Sequence, residues 1–271
     1  MKIKSVSQFI KHLKSHSYID GNYAFRGHSS TNYELNPLIN RNENLRKERD
    51  FIELPQLQFP EVFNSSLSPI NLLALLQHYG FPTRLFDVTL NPLVALYFSV
   101  CSSRNKELDG EIIVFHQSFS GLLNEEINAF SQLYKYKYYK GDYSVEEFLK
   151  DCGITERISP NMHSSNYARI KNEIRLPFFV NASYMTARQR AQSGCYIFFP
   201  NTFENDRFLP TITPIKKEKG ELVETIILID RDAKEEIKNE LNNLGFNRLT
   251  LFPEDFDGSC AKLREDIEKR K

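Results

Sequence analysis

Two apolar segments that lie close together along the chain constrain the fold more than any other feature. The first runs from Pro69 to His78, and the second begins at Asn91-Pro92 and continues to Val100. A first-turn proline in each, and an asparagine cap before the second, favour helices at both places. The stretch Tyr79 to Pro82 ends the first helix, because glycine permits the terminating turn and proline cannot continue it. A loop or short strand, Thr83 to Val88, fills the gap, so the sequence predicts a helix–strand–helix unit.

The rest of the chain is expected to contain both strands and helices, and we expect an α+β protein. Apolar runs bounded by turn residues predict strands, and amphipathic segments with capping residues predict helices. Strands are expected at Tyr23 to Gly27, Ile112 to Phe115, Cys195 to Phe199, Glu224 to Ile229 and Arg248 to Phe252. Helices are expected after Ser5 or Ser7, over Arg41 to Leu54, over Asp232 to Leu244 and over Asp257 to Lys271.

We expect residues 1–271 to form a single domain, because the chain contains no low-complexity linker and no internal repeat. A chain of 271 residues is long enough to bury one large core. The tyrosine-rich segment Ser120 to Asn166 is predicted to be a helical insertion or subdomain, ending in a polar loop from Ser159 to Asn166.

Composition and charge narrow the functional classes. Lysine plus arginine equals aspartate plus glutamate, 35 each, whereas a nucleic-acid-binding module normally carries a positive excess. The N-terminus lacks the apolar core of a signal peptide, and no run approaches the roughly 20 apolar residues of a membrane helix. We therefore expect a cytoplasmic protein without membrane contact. No metal site is predicted, because no histidine lies at ligand spacing from a cysteine.

One local cluster has two interpretations. Lysines and tyrosines are interleaved from Lys135 to Lys140. Such a pattern suits single-stranded nucleic acid, because aromatic rings stack on bases and lysines contact phosphates. It is equally typical of an amphipathic helix with tyrosines packed inward and lysines in solvent, which is the interpretation we favour.

Two blocks of sequence together resemble the FRG-domain family, which is named for its Phe-Arg-Gly motif. They are Tyr23 to His28, which contains Phe25-Arg26-Gly27, and Leu73 to Phe98, in which many positions match in one register. Further similarity lies at Arg188 to Gly194, Leu244 to Phe246 and Leu251 to Glu254, so that the resemblance extends over roughly Phe9 to Leu263. The chain departs from the family at Phe86-Asp87-Val88, where Leu-Asp-Trp is usual, and in the insertion.

A weaker resemblance concerns the chemistry. An aromatic-Arg-Gly strand is similar to the first motif of arginine-type ADP-ribosyltransferases. Phe86 to Thr89, followed by Ala95 and Phe98, is similar to their second motif, and Gln192 stands where their catalytic glutamate is expected. This resemblance implies an ADP-ribosyltransferase-like core, with a mixed or antiparallel split sheet flanked by helices, and NAD as the substrate.

These patterns select candidate catalytic residues. An arginine at the end of a strand, Arg26, can hold a pyrophosphate through its planar fork of donors, or pair structurally with Asp87. His78 can act as an acid or base near neutral pH. Asp87 is a candidate catalytic carboxylate, although pairing with Arg26 or Arg84 is the alternative.

Other residues of the same segments are candidates for binding the cofactor. Gly27 allows close approach of a ligand to the backbone, or serves as a turn glycine. Gln77 can bond the carboxamide of nicotinamide, and Tyr79 can stack on its ring. Residues next to these in the sequence are also candidates. The predicted cofactor-binding residues are Phe25, Arg26, Gly27, Gln77, Tyr79, Thr83 and Arg84.

Gln192 decides between enzyme and binding module. A carboxylate at this place would hydrogen-bond the ribose and oppose the positive charge that develops as nicotinamide leaves. Glutamine can make the hydrogen bond but carries no charge, so Asp87 and Glu173 are the alternative carboxylates.

Three functions follow as hypotheses. The first is an NAD-dependent ADP-ribosyltransferase-like enzyme, a bacterial toxin or phage-defence effector, that modifies an unknown protein or nucleic acid. The second is a non-catalytic module that binds a nucleotide or peptide, and the third is a nucleic-acid-binding protein.

Overall fold

A seven-stranded mixed sheet organises the protein, which is described here as a computed structural model covering residues 2–117, 121–136, 143–154 and 163–253. The strand order is β1-β9-β4-β2-β3-β6-β5; β1 and β9 are parallel, and the other neighbours are antiparallel. The strands are β1 Lys2–Ile3, β2 Tyr23–His28, β3 Leu85–Thr89, β4 Gly110–His116, β5 Phe178–Val180, β6 Gly194–Phe198 and β9 Val223–Ile229. A separate small hairpin consists of β7 Phe203–Glu204 and β8 Arg207–Phe208.

Helices cover this sheet and supply most of the core. In the described residues they are α1 Val6–Ser15, α2 Glu48–Gln58, α3 Pro69–His78, α4 Pro92–Val100, α5 Asn124–Phe130, α6 Val145–Asp151, α7 His163–Glu173, α8 Ala187–Ala191, α9 Lys234–Asn243 and α10 Arg248–Leu251. Helices α1, α4 and α9 pack on β2, β4 and β9, whereas α3, α5, α6 and α7 pack with β5 and β6. A third apolar cluster, which includes Ala24, Phe86, Ile113 and Ile197, lies across the opposite face of both groups of strands.

The sheet is weakest between β2 and β3. Strand β2 pairs with β4 at six positions and β3 pairs with β6 at five, but β2 and β3 share a single register pair, Phe25 with Thr89. Beyond this pair the two strands are no longer paired with each other, which affects residues 26–28 of β2 and 85–88 of β3. The sheet is thus continuous but divides into two halves at this point.

Helix α4 lies unusually close to β2 and β4 because two glycines face it. A Cβ atom added at Gly27 would lie 1.8 Å from the carbonyl oxygen of Ala95, and one at Gly110 would lie 2.5 Å from that of Ser99. Real Cβ atoms do not approach other atoms this closely. Gly27 is therefore required for packing of the helix against the strand, and its backbone does not adopt a positive φ.

The α+β class with a mixed sheet is confirmed, as is the helix–strand–helix unit, which is α3, β3 and α4. The main sheet is not split as predicted: among the described residues it is one seven-stranded sheet, in which β2 and β3 share a single register pair. A core of the ADP-ribosyltransferase type and a single-domain organisation remain predictions. Within the described helices, none is long and apolar enough to cross a membrane.

Two local predictions were wrong. The segment predicted as a strand, Arg248 to Phe252, begins with the short helix α10, because the side chain of Asn247 accepts a hydrogen bond from the backbone of Thr250 and caps it. The predicted loop from Ser159 to Asn166 overlaps α7, which begins at His163. In the insertion, α5 and α6 are helical as predicted, whereas residues 118–120, 137–142 and 155–162 and the predicted terminal helix at 257–271 lie outside the described residues.

Candidate functional site

A cavity of about 360 Å³ opens where β2 and β3 diverge. Ligand pockets have volumes of about 300–1,000 Å³, so this cavity is large enough to hold a small molecule. Residues from β2, β3, β6, α3, α4 and α8 line it. Among the residues predicted from sequence, the walls contain Phe25, Arg26, Gly27, Gln77, His78, Asp87 and Gln192.

Asp87 places a carboxylate in the middle of the sheet. Its side chain is 56% exposed although its strand lies between β2 and β6, because it faces the cavity. Gln77 donates a hydrogen bond from Nε2 to Asp87 Oδ2 at 3.0 Å, and Tyr196 on β6 is its cross-strand neighbour. Asp87 therefore presents a negative charge whose orientation is supported from α3.

Gln77 is itself held by two further hydrogen bonds. Its Nε2 also donates to the carbonyl oxygen of Leu85 at 3.0 Å, and its Oε1 accepts from Thr83 Oγ1 at 2.6 Å. Thr83 is buried and is not part of the cavity wall. The structure thus gives Thr83 a supporting role, since it orients the side chain that orients Asp87.

Arg26 bridges the gap between the two strands. Its Nη1 donates to the carbonyl oxygen of Asp87 at 2.8 Å and lies 3.8 Å from Asp87 Oδ2, which confirms the pairing expected from sequence. The guanidinium lies 4.8 Å from the centre of the Phe86 ring. Burial lowers the pKa of Arg26, and the carboxylate of Asp87 opposes this shift. Nε of Arg26 is buried and has no hydrogen-bond partner among the described residues.

Gln192 lines the cavity, but part of its side chain is engaged elsewhere. Its side-chain Nε2 donates to the backbone carbonyl oxygen of Leu251 at 2.9 Å, and the backbone carbonyl oxygen of Gln192 accepts from Thr89 Oγ1 at 2.6 Å. These bonds tie the turn between α8 and β6 to β3 and α10. The carboxamide therefore has a structural role in addition to its place in the wall.

Arg84 lies away from the cavity. Its guanidinium is buried, donates from Nε and Nη2 to the two carboxylate oxygens of Glu48 at 2.5 and 2.7 Å, and donates from Nη1 to Asn201 Oδ1 at 2.6 Å. Arg84 was expected from the sequence to bind a cofactor or to pair with Asp87. It instead forms a buried ion pair with Glu48. The signal from sequence was ambiguous because Glu48 is distant along the chain.

Tyr79 and Glu173 also lie outside the cavity wall. The ring of Tyr79 is 57% exposed and packs edge-on against Phe63 and His78, so it lies beside the site. The carboxylate of Glu173 accepts a hydrogen bond from the backbone of Gly121. Among the described residues of the cavity wall, Asp87 is therefore the one with a carboxylate side chain.

His78 lies in the wall at the end of α3, as predicted, and is half-buried. Its Nδ1 lies 3.5 Å from Thr186 Oγ1. This contact is at the outer limit of a hydrogen bond, so Thr186 orients the imidazole only weakly.

Sequence reasoning missed a polar pair on the opposite wall. Gln189 is buried, donates from Nε2 to Tyr196 Oη at 2.5 Å, and accepts from the backbone of Met185 and Thr186 at 2.7 and 3.0 Å. Burial raises the pKa of Tyr196. The capping box from Thr186 to Gln189 is a readable signal for this arrangement, since it directs the glutamine back toward the helix start.

A second cation in the wall was also missed. Arg188 lines the cavity and lies 4.7 Å from the centre of the Phe252 ring. No carboxylate within the described residues forms an ion pair with it in this arrangement. Together with Arg26 it makes the cavity suited to an anionic ligand.

The fold and the site define an α+β protein with a ligand-sized cavity whose walls carry an arginine–aspartate pair, amides and histidines. Residues 21–108, which span β2, α3, β3 and α4, match the family model described as the FRG domain. The chain therefore carries an FRG domain in this region, as its motifs indicated. No curated protein matches the chain, and no solved structure does. Gln192 and Gln189 lie beyond the matched segment.

Proposed function

We propose that the cavity binds NAD and that the protein is an ADP-ribosyltransferase-like enzyme. The observation that carries this proposal is the pairing of an exposed carboxylate, Asp87, with Arg26 in the wall of one ligand-sized cavity. The two groups offer opposite charges to a ligand that is itself of mixed charge. NAD has anionic phosphates and a ribose that becomes positive when nicotinamide leaves.

The chemistry requires each of these charges. Cleavage of the bond between ribose and nicotinamide passes through an oxocarbenium-like transition state, which a nearby carboxylate stabilises. In this proposal Asp87 serves that role, held in place by Gln77. Arg26 binds a phosphate oxygen through the terminal guanidinium donors that Asp87 does not use.

The order of the strands supports the same proposal. The three segments that resemble the transferase motifs lie on three adjacent strands: Arg26 on β2, Asp87 to Thr89 on β3, and Gln192 in the turn that enters β6. Strand divergence between the first two opens the cavity. Because Gln192 carries no charge and bonds to Leu251, the proposal assigns the charge-stabilising role to Asp87.

The acceptor in this proposal is water or a hydroxyl of a protein or nucleic acid. A bacterial toxin or defence effector that modifies such a macromolecule is the biological role we propose.

Calorimetric titration with NAD and release of nicotinamide test this function. We expect Asp87→Asn to bind NAD within about threefold of the unaltered protein but to release nicotinamide about 100-fold more slowly, the size of effect that one charge-stabilising group has on a transition state. Arg26→Ala is expected to weaken binding, because a charge-assisted hydrogen bond is lost.

Matched controls separate the site from general effects. Asp109→Asn and Arg175→Ala remove members of surface ion pairs, with Lys2 and Glu221, and are expected to leave binding and release unchanged. Failure of the unaltered protein to bind NAD, or full turnover by Asp87→Asn, would contradict the proposal.

A non-catalytic binding module is the second candidate. It is favoured by the amide of Gln192, which stands where a carboxylate is expected. This amide donates its hydrogen bond to the carbonyl oxygen of Leu251. It predicts NAD or nucleotide binding with no release of nicotinamide. Nucleic-acid binding gains no comparable support from the described part of the Lys135 to Lys140 cluster, because Tyr136 packs against the core and Lys135 bonds to Gln132.

A further inference from the structure

A buried histidine–carboxylate pair lies behind the cavity and is not used by the chemistry described above. His28 follows Arg26 by two residues on β2, so both side chains emerge on the same face of the strand. Glu111 on β4 lies directly opposite His28 in the register, and Nδ1 of His28 lies 2.9 Å from Glu111 Oε1. Both side chains are almost wholly buried, with exposures of 4% and 3%.

The same carboxylate oxygen of Glu111 is also held by a lysine. Lys217 donates from Nζ to Glu111 Oε1 and to the carbonyl oxygen of Thr31. The charge of Glu111 is therefore balanced within the protein, as a buried charge requires. His28, Glu111 and Lys217 form a chain that leads from the protein surface to the cavity wall.

The orientation of the imidazole follows from these contacts. A carboxylate accepts, so Nδ1 of His28 carries the hydrogen and Nε2 keeps a free lone pair. Burial lowers the pKa of His28, and Glu111 opposes this, so the ring is neutral near pH 7. Arg26 Nε is the single buried side-chain nitrogen or oxygen that lacks a partner among the described residues, and no described residue bonds Nε2 of His28. Nε2 is therefore not completely sealed from the cavity, whose wall includes His28.

We infer that His28 is the general base of this site and that Glu111 is its positioning residue. The inference rests on the proposed function and adds the group that activates the acceptor. His28 suits this role because the buried carboxylate of Glu111 stabilises its imidazolium form.

The reaction step is balanced as follows. The bond between ribose C1′ and the nicotinamide nitrogen breaks, and its electron pair leaves with neutral nicotinamide. The oxygen of water or of an acceptor hydroxyl forms the new bond to C1′, and its proton passes to Nε2 of His28. The imidazolium is stabilised by Glu111 and afterwards returns its proton to solvent.

Nicotinamide release from NAD, with water or methanol as acceptor, tests this role across pH 5 to 9. We expect His28→Gln to bind NAD within about threefold of the unaltered protein and to turn over about 100-fold more slowly, within the range for loss of a general base. The acidic limb of its pH profile should disappear. In Glu111→Gln the limb should move to lower pH, because the carboxylate no longer raises the pKa of His28.

His116→Gln is a matched control. His116 lies on β4, as Glu111 does, and its Nε2 lies 2.8 Å from the carboxylate of Glu224, but it is 40% exposed and outside the cavity wall. We expect its turnover and pH profile to equal those of the unaltered protein.

A measurement on the unaltered protein keeps the test independent of how the variants fold. The NMR titration of His28 in the presence of NAD should have its midpoint at the acidic limb of the turnover profile. Turnover retained by a folded His28→Gln, a mismatch between the two midpoints, or NAD binding without any nicotinamide release overturns the inference and leaves the NAD site intact. Absence of NAD binding overturns the proposed function and this inference with it.

Discussion

Two arginine–carboxylate pairs, Arg84 with Glu48 and Arg26 with Asp87, differ completely in their surroundings. Arg84 and Glu48 are each 1% exposed and make a two-pronged contact, which Asn201 completes. Arg26 and Asp87 are 32% and 56% exposed, and Nη1 of Arg26 lies 3.8 Å from Oδ2 of Asp87. An arginine–carboxylate pair is thus buried and closely hydrogen-bonded in one place, whereas in the other it is partly exposed and incompletely bonded.

The difference has a physical reason. A buried ion pair is tolerated only when its hydrogen bonds are complete, because each ion has lost its hydration. An exposed pair contributes at most about 1 kcal/mol to stability, so stability alone does not account for a charged pair in the middle of a sheet. In our proposal, the incomplete bonding of Arg26 and Asp87 leaves hydrogen-bonding groups for a ligand.

Breaking the sealed pair should have the largest effect on stability. Glu48→Gln leaves the guanidinium of Arg84 buried without its counter-charge, and loss of one partner of such a pair costs about 3–5 kcal/mol. Urea unfolding measures this change. Glu53→Gln, on the same helix and paired with Arg49 at the surface, is the control and should change stability by less than about 0.5 kcal/mol. A loss below 1 kcal/mol for Glu48→Gln would mean that the two pairs do not differ as described.

Gly27→Ala should have the next largest effect, although it adjoins Arg26. The added methyl group would overlap the carbonyl oxygen of Ala95, so α4 must move away from β2. Overpacking of this kind costs about 1–3 kcal/mol, which thermal unfolding detects. Gly220→Ala, whose Cβ would meet nothing closer than 3.9 Å, should unfold within about 0.5 kcal/mol of the unaltered protein. Equal stability of the two variants would return Gly27 to the list of ligand-contacting residues.

His28 connects the two kinds of environment, because it is as buried as Arg84 and yet lies in the cavity wall. Its pKa is lowered by burial, so between about pH 6.5 and its lower folded value the unfolded chain binds a proton that the folded protein does not. Stability from this residue is complete above about pH 6.5 and declines as the pH falls, by at most about 1.4 kcal/mol per pH unit. Chemical unfolding of the unaltered protein and of His28→Gln at pH 7.5 and pH 5 isolates the contribution. A pH dependence that is the same in both would show that His28 is not held neutral by burial.

The same contrast explains what could be predicted from the sequence. Local signals were sufficient for α3, β3 and α4, because prolines, a glycine and an asparagine cap mark their ends. They also selected Arg26, Asp87 and Gln77, which the structure brings together in one cavity. They failed for Arg84, whose partner Glu48 belongs to another helix, because spatial pairing across the fold has no local signature.

Other residues were missed for related reasons. Glu111 becomes significant only through its strand register, which sets it opposite His28. The segment at Arg248 was assigned to a strand from its apolar residues, although the cap at Asn247 favours a helix. Burial, register and tertiary contact therefore decide the roles that composition leaves open.

Asp87→Asn should have the smallest effect on stability and is the sharpest test of the contrast. Its carboxylate is exposed and its ion pair with Arg26 is long, so replacement should change the free energy of unfolding by less than about 1 kcal/mol. Gln77 can still bond to the remaining side-chain oxygen. Measured beside Glu48→Gln in urea, the two substitutions make the same chemical change, carboxylate to amide, in opposite environments. If Asp87→Asn lowered the free energy of unfolding by 3 kcal/mol or more, the pair of Arg26 and Asp87 would be as important for stability as the pair of Arg84 and Glu48. Its incomplete bonding would then not support ligand binding in the cavity.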